Sequence, residues 1–205
     1  MTVKGVNSKN SALLVIDVIN SCCHQKCEIK KWNISFKKIR KMVPKLVRFI
    51  EEYKKKTKNP VIYVNCVPWD KKHLMKNVVE LYKDPKCRYY SEDKSGFREK
   101  FFMVKPEKED VVFTKNNYDA FSNKKLVNYL KKKKIKYIIV TGVFGDGCVD
   151  ASIVGGFSRG FNFVLLKDLI ETTDVPKRQR LQKIMKEELW PTMYGKTMNS
   201  KEFLK

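Results

Sequence analysis

Four short apolar runs rich in β-branched residues interrupt an otherwise polar chain, at Ala12 to Val18, Val61 to Val67, Ile135 to Thr141 and Phe161 to Leu166, with a weaker fifth at Val111 to Thr114. Because they lack the polar alternation of half-buried strands, they read as strands covered on both faces, as in a parallel sheet between helices. Between the first two, Phe36, Ile39, Val43, Leu46, Val47 and Ile50 recur at steps of three and four, which predicts an amphipathic helix that Pro44 must kink or begin. A shorter helix is expected over 123–133, with Leu126, Val127 and Leu130 inward. Two more are expected, one after Cys148 and one from Pro176 to about Leu189, where proline suits the first turn.

This alternation predicts an α/β fold, a doubly wound (Rossmann-like) parallel sheet with helices on both faces. Ligands in such sheets bind beyond the carboxyl ends of the strands, so chemistry is sought just after Val18, Val67, Thr114 and Thr141. Residues 68–110 carry Pro68, Trp69, Pro85, Gly96 and Pro106 and form an unusually long connection, expected to be either a lid or a partly mobile excursion.

At 205 residues the chain suits a single domain, 1–205, able to bury one substantial core. No segment reaches the ~18 uninterrupted apolar residues of a membrane span, and the start, MTVKGVNSKNSALLVIDV, lacks the pattern of an export signal. No membrane partner and a cytoplasmic location are therefore expected. The six cysteines, at 22, 23, 27, 66, 87 and 148, then read as reduced thiols. Cys22, Cys23, His24 and Cys27 superficially suggest zinc, but adjacent cysteines diverge and no second pair follows, so no metal or cofactor is expected.

The net charge of +22, from 44 basic against 22 acidic residues, keeps nucleic-acid binding open as an alternative. The lysines are nevertheless spread along the whole chain, and no aromatic RNA-binding motif or zinc finger accompanies them. A solvated basic surface, with a small molecule rather than a specific nucleic acid as partner, is the expectation.

Three polar groups stand at predicted strand ends: Asp17 after ALLVI, Lys115 after VVFT, and Cys148 in the turn TGVFGDGC. A parallel sheet places all three at one edge. A carboxylate there can take and return a thiol proton, while an ammonium and a helix N-terminus are expected to lower the thiol's pKa. The turn lacks the lysine-serine or lysine-threonine ending of a phosphate-binding loop. Asp146 reads as a cap for the helix near Cys148, and His24 and His73 read as surface residues.

On LLVID, FTKNNYDAF and TGVFGDGCVDAS, in that order, the chain resembles the isochorismatase-like hydrolase superfamily, cysteine hydrolases related to nicotinamidases. The resemblance implies a catalytic triad of Asp17, Lys115 and Cys148, with Phe121 near the pocket. It also implies a cis bond from Val143 to Phe144 that aims the Phe144 N–H, beside that of Cys148, at the substrate oxygen as an oxyanion hole. The tail MYGKTMNSKEFL resembles the family's final strand and helix, which brings the sheet to about six strands, and members commonly form homo-oligomers. Trp69 is expected to line the pocket or to pack under the long loop.

The chain departs from the family pattern after Asp17, where Val18-Ile19-Asn20-Ser21-Cys22 replaces the usual glutamine, asparagine, acid and phenylalanine. It also offers only Asp70 and His73, at an unmatched spacing, where nicotinamidases hold a metal. Retention of Cys148 favours hydrolysis of a small amide through a thioester over the ether cleavage of isochorismatases proper, which lack the thiol. Ether hydrolysis and a catalytically inactive binding protein on the same fold remain the alternatives.

Overall fold

Alternation along the first long strand, β1 (Ser11–Ile16), creates two layers: Leu13 and Val15 enter one core, and Ala12, Leu14 and Ile16 the other. The computed structural model describes residues 2–3, 6–7, 10–84, 86, 91 and 93–204; Pro85 and Cys87 lie outside them. Strands β2 (Val61–Cys66), β3 (Val111–Lys115), β4 (Tyr137–Val143), β5 (Asn162–Glu171) and β6 (Gly195–Met198) join β1 in a parallel sheet ordered β3-β2-β1-β4-β5-β6. A separate antiparallel pair of two-residue strands, Thr2–Val3 with Val6–Asn7, precedes it.

Helix α1 (Lys37–Lys56) covers the first layer with Ile39, Val43, Leu46 and Ile50. Pro44 lies inside this helix rather than at its start. The helix begins at Lys37 because Asp174, distant in sequence, accepts the N–H groups of Lys37 (2.6 Å) and Lys38 (3.0 Å). These are orphan donors of a first turn that has no local side-chain cap. The loop after β2 holds a short helix, α2 (Lys76–Leu81). On the other layer lie α3 (Lys124–Lys132), capped by the Asn123 side chain, and α4 (Asp150–Phe157). Helix α5 (Pro176–Ile184) carries Pro176 at its first turn and runs on through a π-helical turn (Met185–Leu189) to a helical turn at Trp190–Met193, and a further helical turn, Ser200–Phe203, follows β6.

Expected strand ends moved by a few residues. Ile135 is buried but precedes β4, and β5 runs on to Glu171 past a register shift opposite Val140 and Gly142. The sheet order reverses between β1 and β4, and their connections leave on opposite faces. At that seam Gly142 pairs with Ile16 at φ +118°, and a Cβ there would lie 2.1 Å from the Ile16 carbonyl oxygen. Gly160, at φ +85°, has nothing near its missing side chain. Gly142→Ala therefore carries both conformational strain and a backbone collision, a loss of about 3 kcal/mol or more. Thermal melting should place it roughly 6–12 °C below the parent, whereas Gly160→Ala pays strain alone and should fall less than half as far.

Candidate active site

Each predicted strand-end group arrives at the seam by a different route. The chain turns sharply at Asp17, which adopts φ +51° while its N–H donates to the Val64 carbonyl at 2.8 Å. Such a conformation costs a non-glycine residue of order 1–3 kcal/mol and is tolerated best by Asp and Asn. Lys115 is the last residue of β3, two strands away. Cys148 sits in the irregular turn Gly145–Val149, just before α4 rather than within it.

The Lys115 ammonium joins them. Its Nζ lies 2.8 Å from Asp17 Oδ2 and donates to Cys148 Sγ at 3.3 Å and to the Asn117 carbonyl at 3.0 Å. The Lys115 and Asp17 side chains are 0% and 2% exposed, so the pair is fully desolvated. Among the described residues, the second Asp17 oxygen, Oδ1, is buried without a hydrogen-bond partner. Burial opposes the Lys115 charge, yet the Asp17 carboxylate and the Cys148 sulfur hold its pKa well above the ordinary lysine value. The expectation that Lys115 lowers the Cys148 pKa is overturned in its net result. Burial, then the Asp17 charge, push the thiol well up, and the lowering effect of Lys115 does not overcome them.

A cavity of about 400 Å³ opens on the thiol. Trp69 lines it, with its indole N–H donated to the Tyr82 hydroxyl at 2.6 Å and the Lys115 Nζ 5.7 Å from its ring centroid. Phe144 lines it too, and the Val143–Phe144 peptide bond is cis. Phe121 does not reach the cavity. It is 1% exposed and packs against Phe161 and Phe163 in the second core, because the turn set by Asp119 directs its ring beneath Gly156 of α4.

Asp146 does not cap a helix either. Its carboxylate accepts Arg178 Nε at 2.5 Å, Arg178 Nη2 at 2.7 Å and the Thr172 hydroxyl. Arg178, on α5, was invisible as a site residue from the sequence; it lies 5.3 Å from the Phe144 ring centroid and lines the cavity. Cys22 faces the cavity while Cys23 is buried in the core, so the two neighbours do diverge. His73 pairs with Asp70 at 2.8 Å, and His24 packs edge-on to Phe97 and Phe102. Among the described residues no three His, Cys, Asp or Glu side chains are grouped to hold a metal, and no helix is long and apolar enough to cross a membrane.

The long 68–110 connection forms much of the cavity wall. Part of it is tied to the segment after β1: Phe102 N–H donates to the Val18 carbonyl, Ser21 N–H to Arg98, and Asn20 Nδ2 to Phe97, each at 2.9 Å. That stretch is docked backbone rather than a free excursion.

The six-stranded parallel sheet, with a half-buried thiol and a buried carboxylate and ammonium meeting at its switch point, is a fold of the doubly wound α/β class. The family model for the Isochorismatase domain matches residues 11–196, and the chain belongs to that family. The isochorismatase family protein YaaI of Bacillus subtilis is 22% identical over 165 residues, covering 80% of this chain and 82% of YaaI. A cysteine hydrolase from Pseudomonas syringae pv. phaseolicola superimposes with a TM-score of 0.81 at 18% identity, covering 97% of this chain and 92% of that one. N-carbamoylsarcosine amidase from Thermoplasma acidophilum superimposes at 0.68, also 18% identical, over 93% and 96%.

Two outcomes follow from these contacts. Asp17→Asn removes the charge that, after burial, does most to raise the Cys148 pKa, while leaving Lys115 beside it, so iodoacetamide should alkylate Cys148 about 5-fold faster or more at pH 7. Peptide mapping reads this, with buried Cys23 as the internal sign that the fold is intact; an unchanged or slower rate refutes the assignment of that field. Arg178→Ala strands the Asp146 carboxylate, 2% exposed, without its cation. Urea unfolding should register a loss of about 3 kcal/mol.

Proposed function

We propose that this protein is a cysteine-dependent amidohydrolase that cleaves the C–N bond of a small amide through a thioester. The observation that carries the reading is the single ammonium of Lys115 in contact with both Asp17 and Cys148. A thiol held protonated needs a base at the moment of attack, and the partnerless Oδ1 of Asp17 is the available acceptor. As Sγ bonds to the substrate carbonyl, its proton passes to Asp17, and Lys115 balances the charge that shifts between sulfur and carboxylate. The oxyanion is received by the backbone N–H groups of Phe144 and Cys148. Losing one such donor typically costs about 100- to 1,000-fold in rate.

Asp17 then gives its proton to the departing amine, the C–N bond breaks, and the acyl group remains on Cys148. Water, deprotonated by the same carboxylate, attacks the thioester and releases the acid and the thiol. Among proteins of this fold, N-carbamoylsarcosine amidase is by name an amidase, and the 400 Å³ cavity suits a small-molecule substrate.

The test is a panel of small primary amides assayed for ammonia release, run beside Cys148→Ala. Turnover of a panel amide should fall roughly 10⁴-fold or more in the variant, and intact mass of the parent during turnover should reveal an acyl adduct on Cys148. A variant retaining a tenth of parental activity refutes the nucleophile assignment. Ether hydrolysis would survive loss of the thiol, and a binding protein would release no ammonia from any amide.

A further inference from the structure

The cavity reverses the charge balance of the chain. Basic residues outnumber acidic ones 44 to 22 in the whole sequence. Among the described residues that line the cavity, by contrast, Asp17, Asp93, Glu99, Asp146 and Asp150 stand against Arg98 and Arg178. Most of these carboxylates are engaged elsewhere. Asp17 holds Lys115, Asp146 holds Arg178 in a two-point ion pair, and Asp93, at the mouth, accepts the Ser95 N–H.

Glu99 makes no side-chain hydrogen bond or ion pair among the described residues and so is not held in place, whereas Asp150 is. It occupies the first turn of α4, two residues after the nucleophile, and its Oδ1 accepts the indole N–H of the fully buried Trp190 at 2.9 Å. Its Oδ2 makes no hydrogen bond and no ion pair among the described residues. Burial and then the Asp146 charge raise its carboxyl above the ordinary value, as befits an acid with no cation of its own. The bond from Trp190 fixes the carboxylate's orientation, so little freedom is lost when Oδ2 gains a donor.

We propose that Asp150 is a specificity-determining residue that accepts a hydrogen bond from a cationic ammonium at the far end of the substrate from the scissile amide. The assignment rests on the amidohydrolase reading for the identity of the reacting end. It makes an amine-bearing amide the preferred substrate class and disfavours anionic ones. Arg178 does not reverse this preference, because two of its N–H groups are committed to Asp146, which also accepts the Thr172 hydroxyl.

Three amides of one length test it: pentanamide, 5-aminopentanamide and 4-carbamoylbutanoate, which end in a methyl, an ammonium and a carboxylate. Calorimetric affinities are measured on Cys148→Ala, where no turnover intervenes, and ammonia release on the parent. The ammonium ligand should bind roughly 10- to 100-fold more tightly than the carboxylate. Adding Asp150→Asn, which keeps an oxygen for Trp190, should bring that ratio to within about twofold of one, whereas a merely structural role would weaken all three ligands together. A ratio that survives Asp150→Asn, a preference for the carboxylate, or equal affinity for all three, including no binding of any, overturns the proposal. An ammonium preference that collapses in Asp150→Asn, with no ammonia released by the parent from any of the three, upholds the proposal and sinks the amidohydrolase reading alone.

Discussion

A desolvated lysine sets the terms for everything around it. Removing an ammonium from water costs several kcal/mol even after relaxation, and one carboxylate returns that only with good geometry. Lys115 is fully buried and meets Asp17 Oδ2 at 2.8 Å, a thiol at 3.3 Å and a backbone carbonyl at 3.0 Å. Replacing the pair by well-packed apolar side chains would often be neutral or stabilising. Such an arrangement is therefore weak as a device for stability and fits the proposed role of a charge reservoir beside a reacting sulfur. Asp17 compounds the cost with its left-handed backbone, which aims the carboxylate back over the strand ends.

The sheet makes that convergence possible. Lys115 leaves the edge strand β3, passes the end of β2 at Cys66, and reaches Asp17 after β1, while the turn after β4 brings Cys148 from the other side of the switch point. Gly142 lets β4 lie against Ile16 at that seam. On the far side of the thiol, Asp146 within the same turn is bound to Arg178 of α5 and to Thr172 after β5. The turn that carries Cys148 is thus fixed through its own carboxylate to elements that follow it in the chain.

What the sequence disclosed and what it withheld divide along one physical line. Strands buried on both faces announce themselves as apolar runs, and the three strand-end groups followed from them, because both signals are local. Nonlocal partners are silent. The start of α1 is set by Asp174, some 136 residues beyond Lys38, so local capping rules could not find it. Asp146 resembled a cap because a carboxylate before a helix usually is one, whereas its partner lies 32 residues away. Phe121 was misplaced for a related reason: its segment was matched by motif, but the direction of its ring depends on Asp119 and on the space left by Gly156. The cavity wall drawn from 68–110 was equally illegible, since its docking is mainly by backbone hydrogen bonds that carry no side-chain signature, with Asn20 Nδ2 adding a side-chain donor.

Among the described residues four thiols, Cys22, Cys27, Cys66 and Cys148, border one cavity, and the field that three of them share does not by itself choose among them. Cys22, Cys66 and Cys148 are each pushed well above the ordinary value, by burial first and by Asp17 second. Thiolate population at rest is therefore a poor guide to the nucleophile. Geometry separates them. Lys115 lowers the pKa of both Cys66 and Cys148, but its Nζ hydrogen bond goes to Cys148 Sγ. Cys148 is also the thiol placed immediately before α4, where backbone N–H groups and the helix dipole favour negative charge. In the proposed reaction, a sulfur that is neutral until substrate arrives, and whose developing charge then has an ammonium in contact, gains most in the transition state. That differential is the quantity a catalyst must supply.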